Sequence, residues 1–269
     1  MKSSWIVLTL AIAWACAGTA AAQGGAKFAG VPVVPGGMTR ANVPLDPTEQ
    51  SYVSEGGNAV PPHAVAVLAV PAGFNPSKSW PVLVSLSTSD FKRQNRTDLE
   101  QFYKESALAE GWLVLAGDGP EPARHDTSGW RAGTTLAALD ALHRSFPGSK
   151  SWPIAVAGYS GGGKRAGTIA PLLAVAGCRV SGIFLTGINE DRLSEGYRKF
   201  HPGAAFLQTP VFLSTGRKDN VATLLVQQDV RLSLQRTGFT RIRHEMFEAG
   251  HVVKRSHLHA ALRWFRELQ

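Results

Sequence analysis

Ser160 stands in Gly158-Tyr159-Ser160-Gly161-Gly162, directly behind the apolar run Ile154-Ala155-Val156-Ala157. A G-x-S-x-G segment at a strand-to-helix junction puts its serine on a tight, strained turn, with the hydroxyl pushed out beyond the end of a sheet. The flanking glycines answer the crowding where strand and helix converge, since a side chain there would meet the opposite backbone. Such a hydroxyl is a weak nucleophile made accessible. It attacks once a nearby base takes its proton and a third group orients that base.

Few residues after Ser160 can fill those two roles. Asp219 ends the segment Ser214-Thr215-Gly216-Arg217-Lys218-Asp219, just past an expected strand. His251, in Ala249-Gly250-His251, falls between the last expected strand and the last helix. Both are expected in loops at the carboxyl ends of parallel strands, on the rim that carries Ser160 and where ligands bind in open α/β sheets. Asp219 can also cap the helix expected near Val221. Asp191 is the alternative acid. His244 alternates within the last strand, and His257 and His259 belong to the last helix.

Acyl transfer develops negative charge on a carbonyl oxygen, which needs two fixed N–H donors. The backbone of Gly161 is one candidate. The other should come from Ser87-Thr88-Ser89-Asp90, after the strand ending at Leu86, with Thr88 preferred and Ser87 as alternate. This chemistry calls for no cofactor and no metal. The same segment almost forms a phosphate-binding loop, with Gly158, Gly163 and Lys164 in G-x-x-x-x-G-K. However, Arg165 occupies the place where Ser or Thr would hold Mg²⁺.

Met1-Lys2, the apolar residues 5–15 and Ala20-Ala21-Ala22 read as an export signal over residues 1–22, cleaved before Gln23. The protein is therefore expected in the periplasm or outside the cell. Lipid anchoring at Cys16 is the lesser alternative, because Trp14 is bulky where such a signal wants a small residue. After cleavage Cys178 remains alone, so no internal disulfide can staple the fold. No later run is long enough to span a bilayer. The chain of 269 residues carries a net charge of +8. Its positive residues are scattered, with a modest cluster over residues 236–243, and do not alternate with aromatics, which argues against nucleic-acid binding. A small-molecule or oligomeric ester is the partner this chemistry implies; the oligomeric state is left open.

Residues 23–62, rich in Gly, Pro and Ala, read as an extended arm or linker. From residue 63 to 269 strands and helices alternate. Strands are expected over 65–70, 81–86, 113–116, 154–157, 182–186, 211–214 and 241–247. Helices are expected over 97–109, 130–146, 164–176, 220–236 and 256–268. Short apolar strands between helices mean one α/β domain, a mostly parallel sheet covered on both faces. The stretch from Gly187 to Pro210 is too short for a large cap domain. It predicts a shallow, open groove with few groups to hold a peptide.

The span 65–265 resembles the α/β-hydrolase superfamily. The resemblance rests on residues 81–86 and their loop, on Gly117-Asp118-Gly119-Pro120, on Gly158 to Gly162, on Gly216 to Asp219 and on Gly250-His251. Within that superfamily the chain looks like secreted, cap-free esterases of the polyhydroxybutyrate-depolymerase and feruloyl-esterase kind. The resemblance implies Ser160 as nucleophile, Asp219 as acid and His251 as base. The chain departs from many relatives in lacking His-Gly after Leu86. A serine esterase is the expected activity. A peptidase or amidase on the same triad, and a catalytically silent binding module, are its rivals.

Overall fold

The computed structural model describes residues 25–88 and 93–269. The signal expected over residues 1–22 lies outside the described residues, as do Ser89 and Asp90.

Most inner strands of the sheet are short and buried on both faces. Strand β4 (Ala64–Ala69), β5 (Val82–Leu86), β6 (Leu113–Asp118), β7 (Ile154–Tyr159) and β9 (Val211–Gly216) are buried at every position. Together with β3 (Met38–Val43), β8 (Val180–Thr186) and β10 (Ile242–Phe247) they form an eight-stranded sheet in the order β10-β9-β8-β7-β5-β6-β4-β3. All neighbours from β6 to β10 run parallel, while β4 is antiparallel to both β3 and β6. Strand β7, which delivers Ser160, therefore lies in the interior of the sheet. A small hairpin of β1 (Lys27–Phe28) and β2 (Val31–Pro32) precedes the sheet.

Helices cover both faces: α1 (Pro47–Val53), α2 (Asn95–Asp98), α3 (Lys104–Ala109), α4 (Ser128–Ser145), α5 (Gly161–Val175), α6 (Arg192–Phe200), α7 (Leu224–Thr237) and α8 (Arg255–Glu267). A π-helical turn, Leu99–Tyr103, joins α2 to α3. The apolar side chains form two layers. Leu86, Leu115, Val156 and Leu213 face α4 and α5, whereas Leu83, Val114, Phe184 and Phe212 pack with Leu258 and Phe265 of α8. Most large core side chains come from strands or the inner stripes of helices, with Trp112, Trp152 and Phe239 added from connections, and their burial removes apolar area from water.

Residues 25–62 are not the extended arm expected from composition. Strand β3 pairs along its whole length with β4, and α1 packs on α4. The signals were present but quiet. The inward positions of β3 are Thr39, Ala41 and Val43, two of them small or polar. Helix α1 opens with a capping box, Asp46 accepting from the Glu49 N–H while Glu49 accepts from that of Asp46, and Pro47 occupies its first turn. Helix α2 likewise starts at Asn95, ahead of the capping box expected at Thr97, and α7 starts at Leu224 behind a Thr223 cap. Between Gly187 and Pro210 the chain carries only α6 and a 3₁₀ turn (Ala204–Gln208), so no large cap domain covers the sheet.

Candidate active site

Ser160 has φ 56° and ψ −124°, a conformation that costs an L residue strain, and its N–H continues the sheet ladder to the Thr186 carbonyl at 2.9 Å. The turn can close this tightly only on glycine. A Cβ on Gly158 would overlap the backbone of Gly162 and Gly163, and one on Gly162 would overlap the Leu86 carbonyl. The strained serine and the start of α5 follow from that close approach.

His251 Nδ1 lies 2.7 Å from Asp219 Oδ2, with the Asp219 carboxylate buried and the imidazole partly open. Asp219 Oδ1 accepts from the N–H groups of Val221 (2.9 Å) and Ala222 (2.8 Å), so the carboxylate is fixed by its own loop before it meets the histidine. The ring of His251 lies 4.8 Å from that of Tyr159, tilted by 42°, and the Tyr159 hydroxyl donates to the His251 carbonyl at 2.5 Å. Gly187 lies beside both rings, and a Cβ there would come within 2.9 Å of the imidazole. The imidazole thus sits against the residue before Ser160 and the residue after Thr186, on the carboxyl rim of β7 and β8.

The remaining acidic and imidazole candidates are engaged elsewhere. Asp191 caps α6 by accepting from the Ser194 N–H at 2.9 Å. His244 bonds Thr215 (2.8 Å), His257 bonds Ser214 (3.0 Å), and His259 bonds Glu110 (2.8 Å). Cys178 is half-buried, and burial pushes its thiol up to about 11.

Thr88 is the loop residue that reaches the elbow: a Cβ on Gly161 would collide with Thr88 Oγ1. The alternate, Ser87, is excluded as an N–H donor because its amide hydrogen goes to Asn95 Oδ1 at 2.9 Å. Sequence reasoning missed the network that holds this loop. Arg165, buried in the second turn of α5, donates to the Ser87 carbonyl (3.0 Å), to Asp126 Oδ2 (3.1 Å) and to the Asp126 carbonyl (2.6 Å). Arg131 of α4 spans Asp126 (2.8 Å) and Asp118 (3.0 Å), and Asp118 in turn accepts from the N–H groups of Asn95 (2.8 Å) and Arg96 (2.9 Å). The residue that spoils the phosphate-loop motif is therefore a tie between elbow and loop.

A cleft of about 760 Å³ opens at Ser160, Gly161 and Thr88 and runs toward α6. It is more charged than the expected shallow groove. Lys164 pairs with Glu190 (3.5 Å), Arg192 bridges Glu190 (3.0 Å) and Glu195 (2.7 Å), and Lys199 also lines the wall. These charges come from α5, from Glu190 in the β8–α6 connection and from α6, whose polar residues show no motif in sequence.

The strand order, the antiparallel β4 and the serine turn define the α/β-hydrolase fold, shared with solved structures of low sequence identity. The chain superposes on FphF, a fluorophosphonate-binding serine hydrolase from Staphylococcus aureus, with a TM-score of 0.57 and 16% identity over 87% of this chain and 99% of that one. A bacterial heroin esterase gives a TM-score of 0.59 and 18% identity over 86% and 84%. Porphyromonas gingivalis dipeptidyl peptidase 4 gives 0.54 and 15%; the chain spans 36% and 35% of the two dipeptidyl-peptidase-type chains it matches. No family model and no curated protein matches the sequence.

Proposed function

We propose that this protein is an exported serine hydrolase that cleaves carboxylic esters through Ser160, His251 and Asp219. The observation that carries the reading is the 2.7 Å contact of His251 Nδ1 with buried Asp219, set against the residues that flank Ser160. With Nδ1–H donating to the carboxylate, Nε2 is left as the acceptor for the Ser160 proton. Ser160 Oγ then bonds to the acyl carbon, and the ester C–O bond breaks. His251 returns the proton to the departing alkoxide. Water, activated by the same imidazole, releases the acid. The backbone N–H groups of Gly161 and Thr88 are the proposed oxyanion donors. Export rests on the positive start and apolar residues 5–15. No helix among the described residues is long and apolar enough to cross a membrane.

The test is labelling with a fluorophosphonate probe, followed by kcat/KM for a nitrophenyl ester against matched peptide anilides. Labelling of the wild type but not of Ser160→Ala, with the ester strongly preferred, supports the esterase. Turnover of anilides at comparable rates would make it a peptidase. Absence of labelling in both proteins would make it a silent binding module.

A further inference from the structure

We propose, building on the esterase reading above, that the substrate has a long acyl group, polar in its middle, whose apolar end sits in a separate pocket between α1, α4, α5 and α6. This pocket holds about 130 Å³ and is walled by Tyr52, Ala132, Ile169, Leu172 and Phe200. It adjoins the cleft at Ser160, and Glu55, Ser128, Thr168 and Lys199 line both spaces. The two cavities follow one face of α5. Lys164, Thr168 and Leu172 recur every four residues along the helix that begins beside the nucleophile. At about 1.5 Å per residue, Gly161 to Leu172 spans about 16 Å, the reach required of the substrate.

Direction follows from the chemistry. The alcohol oxygen must face His251 to receive its proton, and His251 lies against Gly187 on the β8 side. The apolar pocket lies further along α5, between α1, α4 and the end of α6. The alcohol is assigned to the end of the cleft at Gly187 and His251, and the acyl portion to the run along α5. Its middle passes the hydroxyls of Ser128 and Thr168 and the charges of Glu55 and Lys199, which favour a hydrogen-bonding chain over a plain hydrocarbon. Its end meets aromatic and branched apolar side chains in a space fit for a ring, where apolar area leaves water.

Three para-nitrophenyl esters sharing one leaving group separate these elements: those of acetic acid, N-acetyl-β-alanyl-β-alanine and N-phenylacetyl-β-alanyl-β-alanine. The wild type should prefer the phenylacetyl over the acetyl form of the β-alanyl-β-alanine ester by about tenfold in kcat/KM, the effect of burying the ring. Thr168→Phe, which plugs the passage, should bring that ratio close to one; Phe200→Ala, which removes one wall, should lower it as well. A wild-type ratio near one, or a ratio that survives both substitutions, would overturn the pocket. Fluorophosphonate labelling of each variant reports on folding and on the nucleophile independently. If the wild type is not labelled, the esterase reading fails, and calorimetric binding of the product acid N-phenylacetyl-β-alanyl-β-alanine to wild type and Thr168→Phe decides the pocket by the same comparison.

Discussion

Arg165 Nη1 donates to the Ser87 carbonyl at 3.0 Å, tying the helix that begins at the nucleophile to the loop that carries Thr88. The guanidinium is almost fully buried and shares Asp126 with Arg131, so the tie is anchored in a charged network and not in solvent. Oxyanion stabilisation depends on donors held in place before charge develops. Of the two proposed donors, one comes with the elbow and the other from a loop that other side chains must hold.

Arg165→Met should therefore reduce kcat more than it changes KM. A loss of about tenfold to a hundredfold is expected, within the cost of one misplaced oxyanion donor. Stability should fall by about 2 kcal/mol, since Asp126 keeps Arg131 and only part of the network is lost. Steady-state kinetics beside urea unfolding separates the two effects. Unchanged kcat in a folded variant would show that the loop is held without this tie.

Asp219 acts on two partners through different oxygens, which makes its substitutions separable. Asp219→Asn should cost about 10⁴ in kcat, because the amide no longer selects the imidazole tautomer and orientation. It retains an acceptor for the Val221 and Ala222 N–H groups, so Tm should move little. Asp219→Ala should lose both activity and about 1 kcal/mol or more of stability. Equal Tm values for the two variants would mean that the loop does not need the carboxylate.

The sheet and the Ser160, Asp219 and His251 positions were legible because each is marked by local chemistry. Apolar runs of four to six residues announce buried strands, and glycines announce the turns at which the strands end. What was missed rests on distant partners. Arg165 looks like a surface cation in sequence, and only the fold brings Asp126 and Ser87 to it. Strand β3 was hidden by small inward residues and by flanking glycine and proline. The capping box of α1 was readable and was outweighed by composition. The charged cleft wall could not be read, because Lys164, Glu190 and Arg192 meet only when α5, the β8–α6 connection and the start of α6 pack together.

The glycines of the elbow divide between folding and catalysis. Gly158→Ala would drive a methyl into the Gly162 backbone, which cannot retreat, so a loss of stability of about 3 kcal/mol or more is expected. Gly161→Ala meets chiefly the Thr88 side chain, with the Thr88 Cα at 3.3 Å; a small shift of Thr88 relieves this, so the fold should survive while kcat falls. Circular dichroism melts and nitrophenyl-ester kinetics on the two purified variants check this. A stable, fully active Gly161→Ala would argue against Thr88 as an oxyanion donor.

Asp98 gives the fold a predictable response to pH. Its side chain is fully buried and burial pushes the carboxyl up to about 6, against Arg93 at 2.8 Å, with Arg131 and Asp118 also in its field. Its Oδ2 has no hydrogen-bond partner among the described residues, which fits a carboxyl that holds its proton. An acid bound more tightly to its proton when folded than when unfolded stabilises the fold at low pH. That contribution is complete below the unfolded value of 3.8 and is lost as pH rises through about 6. Glu49, pushed up to about 7 by burial, slopes the same way over a higher range. Asp98→Asn cannot titrate, so it should flatten the fall in stability between about pH 4 and pH 6, a difference on the order of 1–3 kcal/mol. It should leave the part near pH 7 that belongs to Glu49. Urea unfolding free energies at about pH 4.5, 6 and 7.5 for the wild type, Asp98→Asn and Glu49→Gln measure both slopes. Identical pH profiles for the wild type and Asp98→Asn would show that Arg93 holds Asp98 ionised throughout.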